Sequence, residues 1–370
     1  ASTTIMAGAV AERCTFFAYI LFAAFYSGWV YPVFAHWTWS AYGWLSVENS
    51  DAILGIGAID VAGSGVVHVQ GGFAALVGSI VLGPRIGRWN PDSERFYTTG
   101  QNSSLYLMGT FLLWFGWFPF NSVSLQRIDN VAYANLVGRT AVVTFLGASA
   151  SGIATAIIVY YRTRTWNMLE ICNGLLGGLV SITCGCSVVE PWAAIICGMF
   201  AAPCVVYGEL LLHKLQIDDP ASSFAIHGLS GLWGMIFVGL LGRQEYILEA
   251  YGHAGREANT ATMGLFYGGH GQLLLCQFIS VLCNVAWPVF WMYPFFTVLN
   301  HFKLLRVNLE AEAMGLDAQQ MGQANRESEL IMSAKIGGGG GRNGVGNGMG
   351  NGVPGMGRGV MTASFRDTEP

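Results

Sequence analysis

Two histidines lie in apolar parts of the chain, and each follows an aspartate at the same distance. Asp60 precedes His68 by eight residues, and Asp219 precedes His227 by eight. An imidazole accepts or donates a proton near neutral pH, and two imidazoles in an apolar conduit can share a proton. Ionisable groups in apolar surroundings are costly and generally line a polar path. The repeat predicts that the two histidines are partners, one from each half of an internally duplicated chain.

The composition indicates that lipid surrounds most of the chain. Of its 370 residues, 53% are hydrophobic and 11% are charged, with a mean hydropathy of +0.46. Soluble domains carry about 25% charged residues. Eight cysteines are scattered without a Cys-x-x-Cys pair, which favours small core residues over a redox or metal site.

A spanning helix needs about 20 mostly apolar residues, and eight runs of that kind can be identified. Residues 1–11 are interpreted as the end of a further helix, and the last run is long enough to tilt or to hold two segments. The sequence therefore predicts an all-α polytopic membrane protein. The runs are 14–36, 65–83, 99–121, 131–160, 169–188, 191–212, 222–242 and 263–300.

Basic residues alternate between the connections. The positive-inside rule places the richer set, and with it the C-terminus, in the cytoplasm. That set holds Arg13, Arg85, Arg88, Arg95, Arg162, Arg164, Lys214, Lys303 and Arg306, whereas the other side holds Arg127, Arg243 and Arg256 among glutamates.

We expect three regions. Residues 1–306 form the membrane domain, 307–335 a polar cytoplasmic regulatory segment, and 336–370 a Gly/Asn/Met-rich tail that cannot bury enough apolar area to fold. The chain begins at Ala1 rather than Met, and we interpret it as lacking an N-terminal part.

Carboxylates precede both histidine segments, and capping is the simplest role for them. Asp60 can in addition lower the cost of a cation in a vestibule nearby. Asp218 and Asp219 are interpreted as caps only, without a site role.

Aromatic residues at two helix ends leave two interpretations open. Trp39 belongs either to an interfacial aromatic belt or to a cation–π surface for a desolvating cation. Phe120 either packs in an aromatic cluster or gates a narrow pore, with the Ser124 hydroxyl as an acceptor outside it.

Motifs of enzymes and of nucleic-acid-binding proteins are missing from the sequence. It contains no His-Glu-x-x-His, no Gly-x-x-x-x-Gly-Lys-[Ser/Thr] and no Gly-x-Ser-x-Gly, and its basic residues are few and spread out. We therefore expect neither an enzyme nor a nucleic-acid partner, and no metal or cofactor.

Several segments, in the same order, resemble the ammonium transporter family (Amt/Mep/Rh), and its plant-type branch most closely. The resemblance covers roughly residues 5–320. It is carried by 8–13, 60–68, 116–121, 173–183, 189–196, 218–220, 227–228 and 313–317, with Val61 in place of a phenylalanine and Pro119 in place of a glycine.

The resemblance implies the eleven-helix ammonium transporter fold with an inverted pseudo-two-fold repeat, of which this chain covers the end of helix 3 to helix 11. It also implies a homotrimer in the lipid bilayer, with an external N-terminus and one pore per subunit, and we expect it at the plasma membrane. The substrate is then ammonium or ammonia, with methylammonium as an analogue.

The family's functional residues map onto this chain by position. His68 and His227 match the pore histidines, and Asp60 matches the carboxylate beneath the recruitment site. The vestibule residues are matched by Trp39 and Ser124, and one of two gate phenylalanines by Phe120, while the other gate residue lies before Ala1.

The resemblance leaves the mode of transport open. If the proton follows ammonia past the imidazoles, transport is electrogenic, and if it returns outside, the protein is a gas channel. A sensor of the same fold with little flux is the alternative function. The Gly315–Asp317 core of the family's tail is kept, but Gln319 stands where plant-type members carry a regulatory threonine, so phosphorylation there is not expected.

Overall fold

The helices follow the apolar runs of the sequence. The computed structural model describes residues 1–89, 102–252 and 262–316. Within these ranges there is no strand, and six helices are long and apolar enough to cross a membrane. The helices are α1 (Ser2–Val10), α2 (Phe16–Trp39), α3 (Ser64–Leu82), α4 (Ser103–Val123), α5 (Val131–Thr163), α6 (Met168–Thr183), α7 (Pro191–Lys214), α8 (Phe224–Leu241), α9 (Gln244–Tyr251), α10 (Gln272–His301) and α11 (Leu309–Met314).

Each predicted run overlaps one helix, so the all-α membrane architecture is confirmed. The last run forms a single helix, α10, which begins only at Gln272. Arg95, Arg256, Asp317, Gln319 and the predicted tail 336–370 lie outside the described residues.

Asparagine side chains start several helices. In α4, α5, α6 and α11 the residue before the helix accepts a hydrogen bond from an N–H in the first turn. The N–H groups of the first turn have no acceptor within the helix, and the capping side chain supplies one in place of water. The capping residues are Asn102, Asn130, Asn167 and Asn308.

The two histidine helices repeat one local design. Both α3 and α8 begin with a π-helical turn, Ser64–Val69 and Phe224–Leu229, that contains the histidine. In both, the aspartate eight residues earlier accepts hydrogen bonds from backbone N–H groups at the helix start. Such π-turns are rare and are frequent at functional sites.

The histidine helices run in opposite directions and touch where both have glycine. A Cβ on Gly72 of α3 would lie 2.4 Å from the backbone nitrogen of Gly228 of α8. Any side chain at this position would therefore separate the two helices.

Charged groups gather at the end of the bundle where α3 stops and α8 begins, which we call the basic end. Arg85 binds the Asp218 carboxylate with Nε at 2.8 Å and Nη2 at 3.0 Å, and the fully buried Arg13 donates to the Asp218 carbonyl at 2.7 Å. The interpretation of Asp218 as a cap is therefore wrong, because its carboxylate is taken by Arg85 and Arg88; Asp219 caps α8 alone.

The ionisation of Asp218 follows from these contacts. Burial opposes its negative charge, but the hydrogen bonds and charge of Arg85 outweigh burial and hold the pKa of this carboxyl below its usual value. Arg306 closes the same end by binding Glu312 of α11 and the carbonyl of Pro84.

Candidate functional site

His68 and His227 meet in the interior of the bundle. Their Nδ1 atoms are 3.1 Å apart, and their rings stack with centroids 5.1 Å apart at 13°. One Nδ1 must carry a hydrogen while the other offers its lone pair, so the pair holds one shared proton between the rings. The structure thus brings together the two histidines that the sequence predicts to be partners.

Two aromatic rings of α4 cover His68. Trp117 stacks on the imidazole with centroids 5.1 Å apart, and Phe120 lies 6.0 Å away. The indole nitrogen of Trp117 donates to Thr183 Oγ1 at 2.8 Å, which fixes the ring against α6. Phe120 also packs against Trp117 at 5.6 Å, so it both belongs to the aromatic cluster and borders the histidine.

The far nitrogen of His68 is free of partners. Its Nε2 is buried and makes no hydrogen bond within the described part of the chain. Buried polar atoms are nearly always paired, so this one is available to a small molecule that donates or accepts a hydrogen bond.

Asp60 is buried and committed to the start of α3. Its carboxylate accepts from the N–H groups of Gly63 at 3.0 Å, Gly65 at 2.9 Å and Val66 at 3.0 Å. The predicted capping role is confirmed. The backbone reaches this geometry because Gly63 has φ of 103°, a left-handed conformation that favours glycine.

Trp39 and Ser124 lie at the ends of helices near this site. The Trp39 indole, about one third exposed, donates to the Asp60 carbonyl at 2.7 Å. Ser124 donates to the Phe120 carbonyl at 2.8 Å, and no hydrogen bond joins it to Trp39 in the part of the chain that the structure describes. Trp39 is thus tied to Asp60, and Ser124 to Phe120.

A glutamine that sequence reasoning missed fixes the segment before Asp60. Gln277 of α10 is fully buried, accepts from the Ile59 N–H at 2.8 Å and donates to the Ile59 carbonyl at 2.9 Å. It also donates to the Met235 carbonyl of α8 at 2.9 Å. A polar amide inside an apolar run was the available signal. Trp117 was likewise missed as a site residue, although it lies three residues before Phe120.

Metal ligands do not gather in these ranges. Among residues 1–89, 102–252 and 262–316, no three His, Cys, Asp or Glu side chains are grouped so that they could hold a metal ion. The groups that the structure does bring together at the site are two imidazoles, the rings of Trp117 and Phe120, and the capped carboxylate of Asp60.

The family assignment rests on a match over most of the sequence. The sequence model of the Ammonium Transporter Family matches residues 1–326. The chain belongs to the ammonium transporter family. Members of this family are transporters rather than enzymes.

Relatives agree with this assignment. The chain is 44% identical over 326 residues to ammonium transporter 1 member 3 of Solanum lycopersicum, covering 86% of this chain and 70% of the relative. It is 42% identical over 332 residues to ammonium transporter 1 member 2 of Arabidopsis thaliana, covering 87% of this chain and 63% of the relative.

Solved structures share the fold. A sensor Amt protein superposes with a TM-score of 0.72 at 31% identity, covering 86% of this chain and 73% of the other. Mep2 of Candida albicans superposes with a TM-score of 0.71 at 27% identity, covering 84% of this chain and 64% of Mep2. The predicted ammonium transporter fold is confirmed.

Proposed function

We propose that this protein carries ammonium across a membrane. Ammonium is recruited at Trp39 and Ser124 with Asp60 beneath, loses its proton near Phe120, and passes His68 and His227 as ammonia. The observation that carries the proposal is the buried histidine pair, with Nδ1 atoms 3.1 Å apart under Trp117 and Phe120, in a member of this family.

Desolvation explains why the ion gives up its proton. An unpaired charge in an apolar interior costs several kcal/mol or more, so the neutral form is favoured as water is removed. The Trp39 ring offers a cation–π contact of about 0.5–2 kcal/mol that replaces part of the lost hydration. The Asp60 carboxylate adds a negative potential close to this point without leaving its cap.

The histidines then contribute a hydrogen-bond partner for ammonia and a path for the proton. The buried Nε2 of His68 offers ammonia a hydrogen-bond partner. The shared proton between the Nδ1 atoms gives a path by which a proton taken up at one ring is released from the other.

Orientation and assembly are part of the proposal. The arginines at the basic end support a cytoplasmic location for it, with the opposite end external. We place the protein in the plasma membrane as a homotrimer with one pore in each subunit. Residues 307–335 then form a cytoplasmic regulatory segment.

Transport can be measured in a cell that lacks ammonium transporters of its own. The full-length protein should give a saturating ammonium-evoked current at fixed external pH, together with uptake of labelled methylammonium. His68→Ala should abolish the current or uncouple it from uptake, whereas His301→Ala, at the exposed end of α10, should leave both unchanged. Absence of current and of uptake in wild type at normal surface expression would overturn the proposal.

A sensor is the second candidate, and one observation favours it. One of the matching solved structures is a sensor Amt protein, 31% identical to this chain. A sensor would bind ammonium with little flux. Wild-type protein that binds methylammonium at the surface yet gives neither current nor uptake would establish this alternative.

A further inference from the structure

A single glutamine of α10 holds the part of the chain that carries Asp60. Gln277 is fully buried, and its amide forms three hydrogen bonds to backbone groups. Its Oε1 accepts from the Ile59 N–H at 2.8 Å, and its Nε2 donates to the carbonyls of Ile59 and Met235, each at 2.9 Å. We call residues 59–63 the Asp60 segment. The transport path proposed above does not include this amide.

The partners of Gln277 fix the orientation of its amide. The Ile59 N–H is a donor and needs the carbonyl oxygen of the side chain, whereas the two backbone carbonyls need its NH₂ group. A rotation of the amide by half a turn would oppose like groups at all three contacts. Gln277 thus pairs with both backbone groups of Ile59 and ties them to α8 through Met235.

The end of α6 supplies the other contacts of the Asp60 segment. The Val61 N–H donates to the Cys184 carbonyl at 3.0 Å, and the Cys184 thiol donates to the Ile59 carbonyl at 3.0 Å. The Ile59 carbonyl therefore has a second donor. The Ile59 N–H depends on Gln277 alone within the part of the chain that the structure describes.

The Trp39 ring lies against the Asp60 segment at two points. Its Nε1 donates to the Asp60 carbonyl at 2.7 Å, and its Cη2 is 3.3 Å from the position that a Cβ on Gly63 would occupy. The carbonyl that accepts from Trp39 follows directly after the Ile59 carbonyl that accepts from Gln277. Because only the φ and ψ of Asp60 separate these two rigid peptide groups, a displaced Ile59 would move the acceptor of the indole.

The orientation of the Trp39 ring decides how strongly it attracts a cation. A cation is attracted over the face of the ring, within about 6 Å of its centroid, whereas the edge of the ring carries positive charge. In the proposed transport path Trp39 helps to recruit ammonium, and its side chain is about one third exposed. The Gln277 amide can therefore influence the affinity for the ion without touching it.

We propose that Gln277 is a positioning residue that sets the affinity for ammonium at the recruitment site. It acts through Ile59 and the Asp60 carbonyl on the Trp39 ring and does not contact the substrate. This inference rests on the proposed transport function. A glutamine that only held the fold together would change the amount of protein at the cell surface, and not the concentration at which transport is half saturated.

The first test is the concentration dependence of transport. Current and labelled methylammonium uptake are measured for the full-length protein in a cell that lacks ammonium transporters of its own, and are normalised to surface expression. Gln277→Met keeps the length of the side chain but removes all three hydrogen bonds. It should raise the half-saturating concentration by about three- to thirtyfold, as for the loss of a cation–π contact, and change the maximal rate by less than about twofold.

A second variant gives a pH-dependent readout. Gln277→Glu keeps the shape of the side chain and the acceptor for the Ile59 N–H, but its second oxygen faces two carbonyl oxygens. The acid form can donate to one of them, whereas the ionised form repels both. Relative to wild type at the same pH, the half-saturating concentration should be near normal in acid and rise reversibly with pH. Gln272→Glu, on the same helix with a 2.7 Å hydrogen bond to the Leu54 carbonyl, is the control and should show no trend.

A double-mutant cycle tests the route through Trp39. In Trp39→Phe, which lacks the indole N–H, Gln277→Met should raise the half-saturating concentration by less than about a further twofold. A full additional effect in that background, or no effect of Gln277→Met in the wild-type background, would overturn the positioning role and leave the transport proposal standing. If Gln277→Met does not reach the surface, the pH trend of Gln277→Glu against Gln272→Glu decides; absence of both Gln277 variants from the surface would assign Gln277 to folding and overturn the proposal. Absence of current and uptake in wild type would instead remove the transport proposal.

Discussion

The contact between His68 and His227 depends on small residues as much as on the imidazoles. Their rings stack because α3 and α8 approach closely one turn further on, where Gly72 faces the backbone of Gly228. A Cβ atom added at Gly72 would therefore disturb the contact between the two histidines, although it carries no reactive group.

Gly72→Ala should reduce both stability and transport. The added Cβ would lie 2.4 Å from the Gly228 nitrogen, and neither backbone can yield without moving a histidine helix. Overpacking of this kind costs about 1–3 kcal/mol or more. Gly116→Ala on α4 is the control, because nothing lies within 4 Å of its added Cβ. Thermal unfolding in detergent and methylammonium uptake measure the two effects; equal behaviour of the two variants would contradict this account.

At the residue scale, the sequence predicted the histidine pair but not its surroundings. His68 and His227 stood out because ionisable groups are rare in apolar runs and because their spacing from an aspartate repeats. Gln277 offered the same kind of signal without a repeat. Which backbone groups its amide would meet depends on how α10 packs, and a one-dimensional pattern does not contain that information.

At the scale of elements, Asp218 joins the start of α8 to the end of α3. Its carboxylate and the Arg85 guanidinium are both buried, and they form three hydrogen bonds if the Arg85 backbone N–H is included. Removing Asp218 would leave the buried Arg85 guanidinium with only the exposed Glu12 carboxylate, 3.0 Å away, as an ion-pair partner within the described residues. Loss of one partner of a buried pair costs more than the intact pair contributes.

Asp218→Asn should therefore destabilise the protein by about 3–5 kcal/mol. Arg243 and Glu245 form an exposed pair at the opposite end, so Glu245→Gln should cost about 0–1 kcal/mol and serves as the control. Thermal unfolding in detergent at neutral pH distinguishes the two. A similar small change for both would show that Asp218 does not hold these helices together.

The pH dependence has a definite sign. Because the pKa of Asp218 is held below its usual value, its stabilisation is present above the unfolded-state pKa of about 3.9 and is lost as the pH falls through the lowered value. The difference in unfolding temperature between wild type and Asp218→Asn should accordingly shrink in that acidic window.

The sequence predicted where the long helices lie but not the π-helical turns within them. Runs of apolar residues located every helix from α2 to α8 and α10, since lipid imposes both length and composition. The π-helical turns at His68 and His227 were not predicted, because one extra residue per turn is invisible in an apolar run. Of the adjacent pair Asp218 and Asp219, only the tertiary contact with Arg85 decides which one caps α8.

At the scale of the whole molecule, two antiparallel helices bring one histidine each to a shared point. The contact between the two rings leaves one proton between them. Whether that proton travels with ammonia depends on the groups on both sides of the histidine pair and not on any one residue.

We expect the proton to follow. The Nδ1 contact joins the two rings directly, and the free Nε2 of His68 can take up a proton on one side as Nδ1 releases another. Wild-type protein should then carry about one elementary charge per methylammonium molecule, measured as current and labelled uptake in the same voltage-clamped cells.

His227→Ala breaks the proton path while widening the space for the neutral solute. Uptake should persist and the charge carried per molecule should fall toward zero, because the bare cation still cannot cross the apolar segment. His301→Ala controls for the loss of a histidine elsewhere. A ratio that stays near one in His227→Ala would mean that ammonium crosses with its charge, or that the proton takes a route that avoids the histidine pair.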